Sequence, residues 1–138
     1  MNPRAAYRQQ PKSNETRIDL LLDLFEGAID RLSKARDAVA NGDVAAASPL
    51  LVRAQVLVEG ISSGVRTDQG DLSHNLLRLY EFVVSAIRKG DLESIDGALK
   101  VLRTLNEGFQ AIRPEAVELE RNGIIPPSEE MPTVQAMA

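Results

Sequence analysis

The sequence predicts an all-α protein, an antiparallel four-helix bundle with an irregular N-terminal arm and a flexible C-terminal tail. Three observations point there. Apolar residues recur at three- and four-residue spacing in four long stretches, the pattern of helices that bury one face. Two of those stretches end in the same punctuation, Asn41-Gly42-Asp43 and Lys89-Gly90-Asp91. There Gly can take the left-handed conformation that closes a helix, and the Asp behind it can cap the next one. Aromatics make up only 4% of the chain while Leu, Ile, Val and Ala abound, a mix that suits helix-on-helix packing better than a sandwich or barrel.

Residues 1–15 form the arm, polar, with two prolines and one aromatic, Tyr7. The bundle is expected over 16–113. Its first helix carries Ile18, Leu21, Leu22, Phe25, Ala28, Ile29, Leu32, Ala35 and Val39 on one stripe, with Ser13, Asn14 or Thr16 as cap. The second helix can start at Asp43 or at Ser48-Pro49, where Pro fits the first helical position. Leu50, Leu51, Ala54, Leu57, Val58 and Ile61 line it, and Ser62-Ser63-Gly64 ends it. A polar loop, Thr67 to Asp71, supplies caps for the third helix, lined by Leu72, Leu76, Leu79, Tyr80, Val83 and Ile87 and closed by Gly90. Asp91 caps the fourth, which presents Ile95, Ala98, Leu99, Leu102, Leu105, Phe109 and Ile112 and is expected to stop before Pro114. Within the tail, 114–138, Glu115 to Arg121 has room for one short helix before Gly123, Pro126, Pro127 and Pro132 break regular structure.

A chain of 138 residues can bury a single core without staples. With no Cys and one His, thiolate catalysis, disulfides and Cys/His zinc sites are excluded. The net charge of −4, with both signs interspersed, leaves no basic face for nucleic acid. No run approaches the roughly 20 uninterrupted apolar residues of a membrane span, and Met1-Asn2-Pro3-Arg4 lacks the apolar core of a secretory signal. A cytoplasmic location without membrane insertion is the expectation.

His74 is the one imidazole. A helical His on a four-helix bundle invites comparison with histidine phosphotransfer domains, which place Leu, Lys and Gly two, three and four residues after it. Leu76 fits, but Leu77 and Arg78 occupy the other two positions. The row Asp19, Asp23, Glu26 and Asp30 lacks the Glu-x-x-His pairs of a di-iron bundle and reads as a solvated face. Asp68 and Asp71 lack the alternating ligands of a calcium loop and read as caps. Gln55 and Asn75 sit among apolar neighbours. They are either an interhelical polar contact that fixes register or contacts to the backbone of a bound segment.

The arm Ala6-Tyr7-Arg8-Gln9, the segment Leu24-Phe25-Glu26-Gly27-Ala28-Ile29, the pair Ala54-Gln55, and Asn75-Leu76 followed by Leu79-Tyr80-Glu81-Phe82 occur in a telling order. In that order and spacing, together with the Gly-Asp turns, the chain resembles the flagellin secretion chaperones of the FliS family over roughly residues 5–112. Phe25 stands where that family usually has Tyr, and Phe109 where it has Trp. The resemblance implies a non-enzymatic cytoplasmic chaperone without cofactor or metal. Such a protein binds the C-terminal segment of flagellin, prevents its premature polymerisation and delivers it to the flagellar export gate, with other flagellar proteins as further partners.

On that resemblance Tyr7 is a displaceable lid over an apolar groove, and Ala54 is a small residue permitting close approach. Val58, Leu79 and Val83 are the groove floor, and Gln55 and Asn75 are backbone contacts. Leu76 and Tyr80 belong either to the groove or to the core. The rival expectations are a phosphotransfer domain built on His74 and a helical interaction module with another partner.

Overall fold

Thr16 starts the bundle. In the computed structural model, which describes residues 15–65 and 70–123, it caps α1 (Arg17–Ala40) through a capping box. Thr16 Oγ1 accepts from Asp19 N at 3.5 Å, and the Asp19 carboxylate reaches back to accept from Thr16 N, so donors at the helix start are satisfied reciprocally. At the far end Gly42 takes φ 75°. Its N–H donates to Val39 O, and Asp43 N donates to Ala38 O at 2.8 Å, which satisfies carbonyls that a helix end leaves open.

Asp43 then accepts from Ala46 N at 3.1 Å and opens α2 (Val44–Ser63). Of the two starts the sequence allowed, the helix takes the earlier one, and Pro49 lies inside it. Pro49 removes one helical donor, and because both Pro49 and Ala45 are exposed, water can satisfy the Ala45 carbonyl it leaves unpaired. α3 (Asp71–Lys89) follows, with Gly70 at its N-cap and no side-chain capping bond. Asp71, read from sequence as a cap, is instead the first helical residue, where its charge complements the helix N-terminus. Asp68 lies outside the described residues. Gly90, at φ 69°, closes α3, and Asp91 accepts from Ser94 N at 2.7 Å to open α4 (Leu92–Arg121).

The fourth helix departs from expectation, because it passes through Pro114 and ends at Arg121. The missing Pro114 N–H costs one backbone bond, but the following turns are tied to the start of α1. Ala116 and Val117 are buried, Arg113 Nε donates to Asp19 Oδ1 at 2.7 Å, and Arg17 N donates to Glu120 Oε1 at 3.2 Å.

Each helix packs beside its predecessor, and α4 closes the ring against α1. The α1–α4 pair is antiparallel along its length. Arg36 near the end of α1 pairs with Asp96 near the start of α4, Arg103 Nη2 donates to Ser33 Oγ midway at 3.1 Å, and Asp19 meets Arg113 at the other end. Inside, Ile18, Leu32, Ile61, Ile95 and Leu102 are fully buried around Phe25. The Phe25 ring stands 5.6 Å from that of Phe109 and 6.4 Å from that of Tyr80, both tilted, a favourable separation and attitude for aromatic pairs.

By length and composition alone α2 is apolar enough to span a membrane. It also carries Arg53 and Glu59, and it turns Ala47, Ala54, Val58 and Ile61 into the bundle.

Candidate functional site

Leu72, Leu79 and Phe82 are seven and three residues apart on α3, a spacing that puts them on one side of the helix. They stay largely in solvent at 62%, 38% and 50% exposure. Phe82 leans toward α4, its Cζ lying 3.6 Å from where a Cβ on Gly97 would stand. The small residue lets the ring settle against the neighbouring helix while half its surface remains open. On α2, Val52 and Val56 are one turn apart and each 62% exposed. Scattered apolar side chains are ordinary on a protein surface; Leu72, Leu79 and Phe82 differ in lining up along one side of α3.

Between α2 and α3 runs a cleft of about 350 Å³. Glu59 and Ser62 line it from α2, and Tyr80, Glu81, Val84, Ser85 and Arg88 from α3. Burial pushes the Tyr80 phenol well above its ordinary pKa, so it keeps its proton throughout the physiological range. The two carboxylates and one guanidinium at the rim leave the cleft without a strong preference for either sign of charge.

The site residues expected from sequence divide into two layers. Ala54, Val58 and Val83 are completely buried, and Leu76 and Tyr80 nearly so. They form the layer beneath the surface, and of the expected groove floor only Leu79 is open to solvent. Gln55 is half-buried, and its Nε2 donates to Glu59 Oε1 at 3.0 Å within α2. Asn75 is exposed. Among the described residues the expected interhelical amide contact does not form, because Gln55 bonds within its own helix and Asn75 stands in solvent. Tyr7 lies outside the described residues.

Phe82, Val52 and Val56 received no role from sequence. Phe82 was within reach, since it lies in the same short motif as Leu79 and Tyr80. The signal for the two valines was that α2 is apolar on more than one side, more than a single buried stripe requires.

His74 is an exposed residue in the first turns of α3. The acidic row of α1 is not uniformly solvated as read from sequence. Asp30 pairs with Lys34 in solvent, but Asp23 is buried and Asp19 is held by Thr16 and Arg113. Burial alone would raise the Asp19 pKa; the hydrogen bonds from Arg113 and Thr16, with the Arg113 charge, outweigh it and hold it below its ordinary value. Among the described residues no cluster of His, Asp and Glu is arranged to hold a metal ion.

The family model described as flagellar protein FliS matches residues 1–116. The flagellar secretion chaperone FliS of Vibrio cholerae is 29% identical over 97 residues, covering 67% of this chain and 71% of that protein. Its counterpart in Salmonella typhimurium is 28% identical over 67% of this chain and 73% of its own. That of Bacillus subtilis is 22% identical over 87% and 90%.

Proposed function

Since the chain belongs to the FliS family of flagellar secretion chaperones, a non-enzymatic family, we propose that it binds the C-terminal segment of flagellin in the cytoplasm. It thereby keeps flagellin from polymerising and hands it to the flagellar export gate. The observation that carries this reading is the exposed apolar line Leu72, Leu79 and Phe82 along α3, which suits capture of an apolar segment in a helix-lined groove. Leu79 and Phe82 touch the client, Asn75 and Gln55 offer amides to its backbone, and Ala54, Val58, Leu76, Tyr80 and Val83 hold the two helices at the spacing the client meets.

Tyr7 acts as a lid that the client displaces. Fully burying a large apolar side chain gains roughly 1.5 to 3 kcal/mol, while ordering each backbone residue costs about 1 to 2 kcal/mol, so a single aromatic can hold down only a few residues of a polar arm. Tyr7→Ala should leave helicity intact, raise binding of a hydrophobic dye and alter affinity for the client. Hydrogen exchange that is unprotected at residues 4–10 in both the free and bound protein, with Tyr7→Ala binding like the natural chain, would dispose of the lid.

The client assignment itself is tested by calorimetry with full-length monomeric flagellin from the same organism. Binding with a negative heat-capacity change is expected, as for burial of apolar surface. Absence of binding by the folded protein would contradict it.

A further inference from the structure

The end of α4 is built as a chain reversal. Gly123 takes φ 77° and its N–H donates to Glu120 O at 3.0 Å, just as the N–H of Gly42, at φ 75°, donates to Val39 O. At Gly42 the next residue completes the motif, Asp43 N donating to Ala38 O, and the chain turns back beside the helix it has left. After α4 the same step falls to Ile124, and an apolar contact between that residue and Leu119 is the usual companion of such a cap.

Leu119 also ends an apolar line. Gly97, Val101, Gly108, Ile112 and Leu119 recur at spacings of four and seven along α4, which keeps them on one side of the helix. Phe82 packs at Gly97, so this is the side toward α3, and the tight turn at Gly90 makes α3 and α4 antiparallel. Ile112 and Leu119, both exposed, therefore carry the line of Leu72, Leu79 and Phe82 on to the point where the chain leaves the bundle.

We infer that residues 124–138 turn back at Gly123 and lie along this line, covering it until the client displaces them. Only the displacement rests on the client reading above. The segment supplies Ile124, Ile125, Met131, Val134 and Met137, and its charges are Glu129 and Glu130. Pro126, Pro127 and Pro132 favour an extended course over a helix. Extended, the segment spans roughly 50 Å, whereas α4 rises only about 36 Å between Gly97 and Arg121, so it reaches as far as Phe82. These residues lie beyond 116, where the family match ends, which makes the docking a property of this chain rather than of the matched region.

Because the chain has no Cys, Met131→Cys carrying a nitroxide places a single spin label in the full-length protein. It should broaden the methyl resonances of Leu72 and Leu79 more than those of Val52 and Val56 on α2, and a synthetic peptide of the flagellin C-terminal segment should relieve the broadening. Equal broadening of both sets, or none beyond the last turns of α4, would overturn the docking. So would the same broadening in an isotopically labelled natural chain mixed with the spin-labelled one, since that puts the segment on a second copy. Ile124→Ser with Ile125→Ser should leave the four helices intact and bind the peptide roughly 5- to 30-fold more tightly, as when a weak internal competitor is removed. The two readings fail differently. If the peptide binds neither chain while the label still broadens Leu72 and Leu79, the client reading is wrong and the docking stands. If the peptide binds both chains equally and the broadening is even, the docking is wrong and the client reading stands.

Discussion

Leu102 has no exposed surface and belongs to the central cluster with Phe25 and Phe109, so truncating it leaves a hole that rigid helices cannot fully close. Leu102→Ala should cost about 2 to 5 kcal/mol, read from chemical denaturation, and a change near zero would mean that the cluster can collapse around it. Gly90 raises a different question, since a Cβ there would meet Leu51 Cδ1 at an unremarkable 3.6 Å. Its φ of 69° is what excludes other residues. Gly90→Ala should therefore destabilise by about 1 to 2 kcal/mol through backbone strain, whereas Gly60→Ala, with open space and helical backbone, should be neutral or stabilising. Periodicity identified Leu102 and the turn chemistry identified Gly90. Periodicity also oriented α2, where Ala54, Val58 and Ile61 are buried and Leu51 and Leu57 pack against the core, but it gave no role to Val52 and Val56, which stand in solvent. Leu72 misled, because it continues the apolar pattern of α3 while standing in solvent.

At the scale of elements, the end of α4 is governed by tertiary contacts rather than by local preference. Pro114 is a sound local reason to stop a helix, and nothing in the adjacent residues announces that Asp19, far away in sequence, will hold Arg113. That pair should make the joint sensitive to acid. The Asp19 pKa is lower in the folded protein than its ordinary value of 3.8, so its contribution is complete above that value and disappears as pH falls through the folded-state value. Asp19→Asn should accordingly lower the melting temperature near neutrality and narrow its difference from the natural chain in acid. A gap that stays constant below about pH 4 would show that the loss comes from the helix cap alone. The sequence revealed the four helices and both Gly-Asp turns because those depend on neighbouring residues. The run of α4 to Arg121 depends on what the rest of the bundle supplies, the bonds of Arg113 and Glu120 to the start of α1.

For the molecule as a whole, the fold separates support from contact. On the client reading proposed above, the buried layer sets the distance between α2 and α3 and the open residues on those helices meet the client, so substitutions in the two layers should have separable effects. Phe82→Ser should leave the melting temperature nearly unchanged and weaken flagellin binding, while Val83→Ala should lower the melting temperature first; thermal denaturation and calorimetry on the same samples distinguish them. Much of the supporting layer could be named from the sequence because a motif and a stripe coincide there. Phe82 lay in the same motif, but its half-open position depends on Gly97 across the helix pair. The closing of α4 against α1 has a topological consequence as well. Arg17 N and Glu120 Oε1 are 3.2 Å apart, so the two ends of the bundle meet. Joining Gly123 to Glu15 through a short Gly-Ser linker and reopening the backbone between Asn41 and Gly42, an exposed turn, should yield a circular permutant with the same helices in the same places. Cooperative melting of that permutant would show that the order in which the helices are threaded is incidental to the bundle they build.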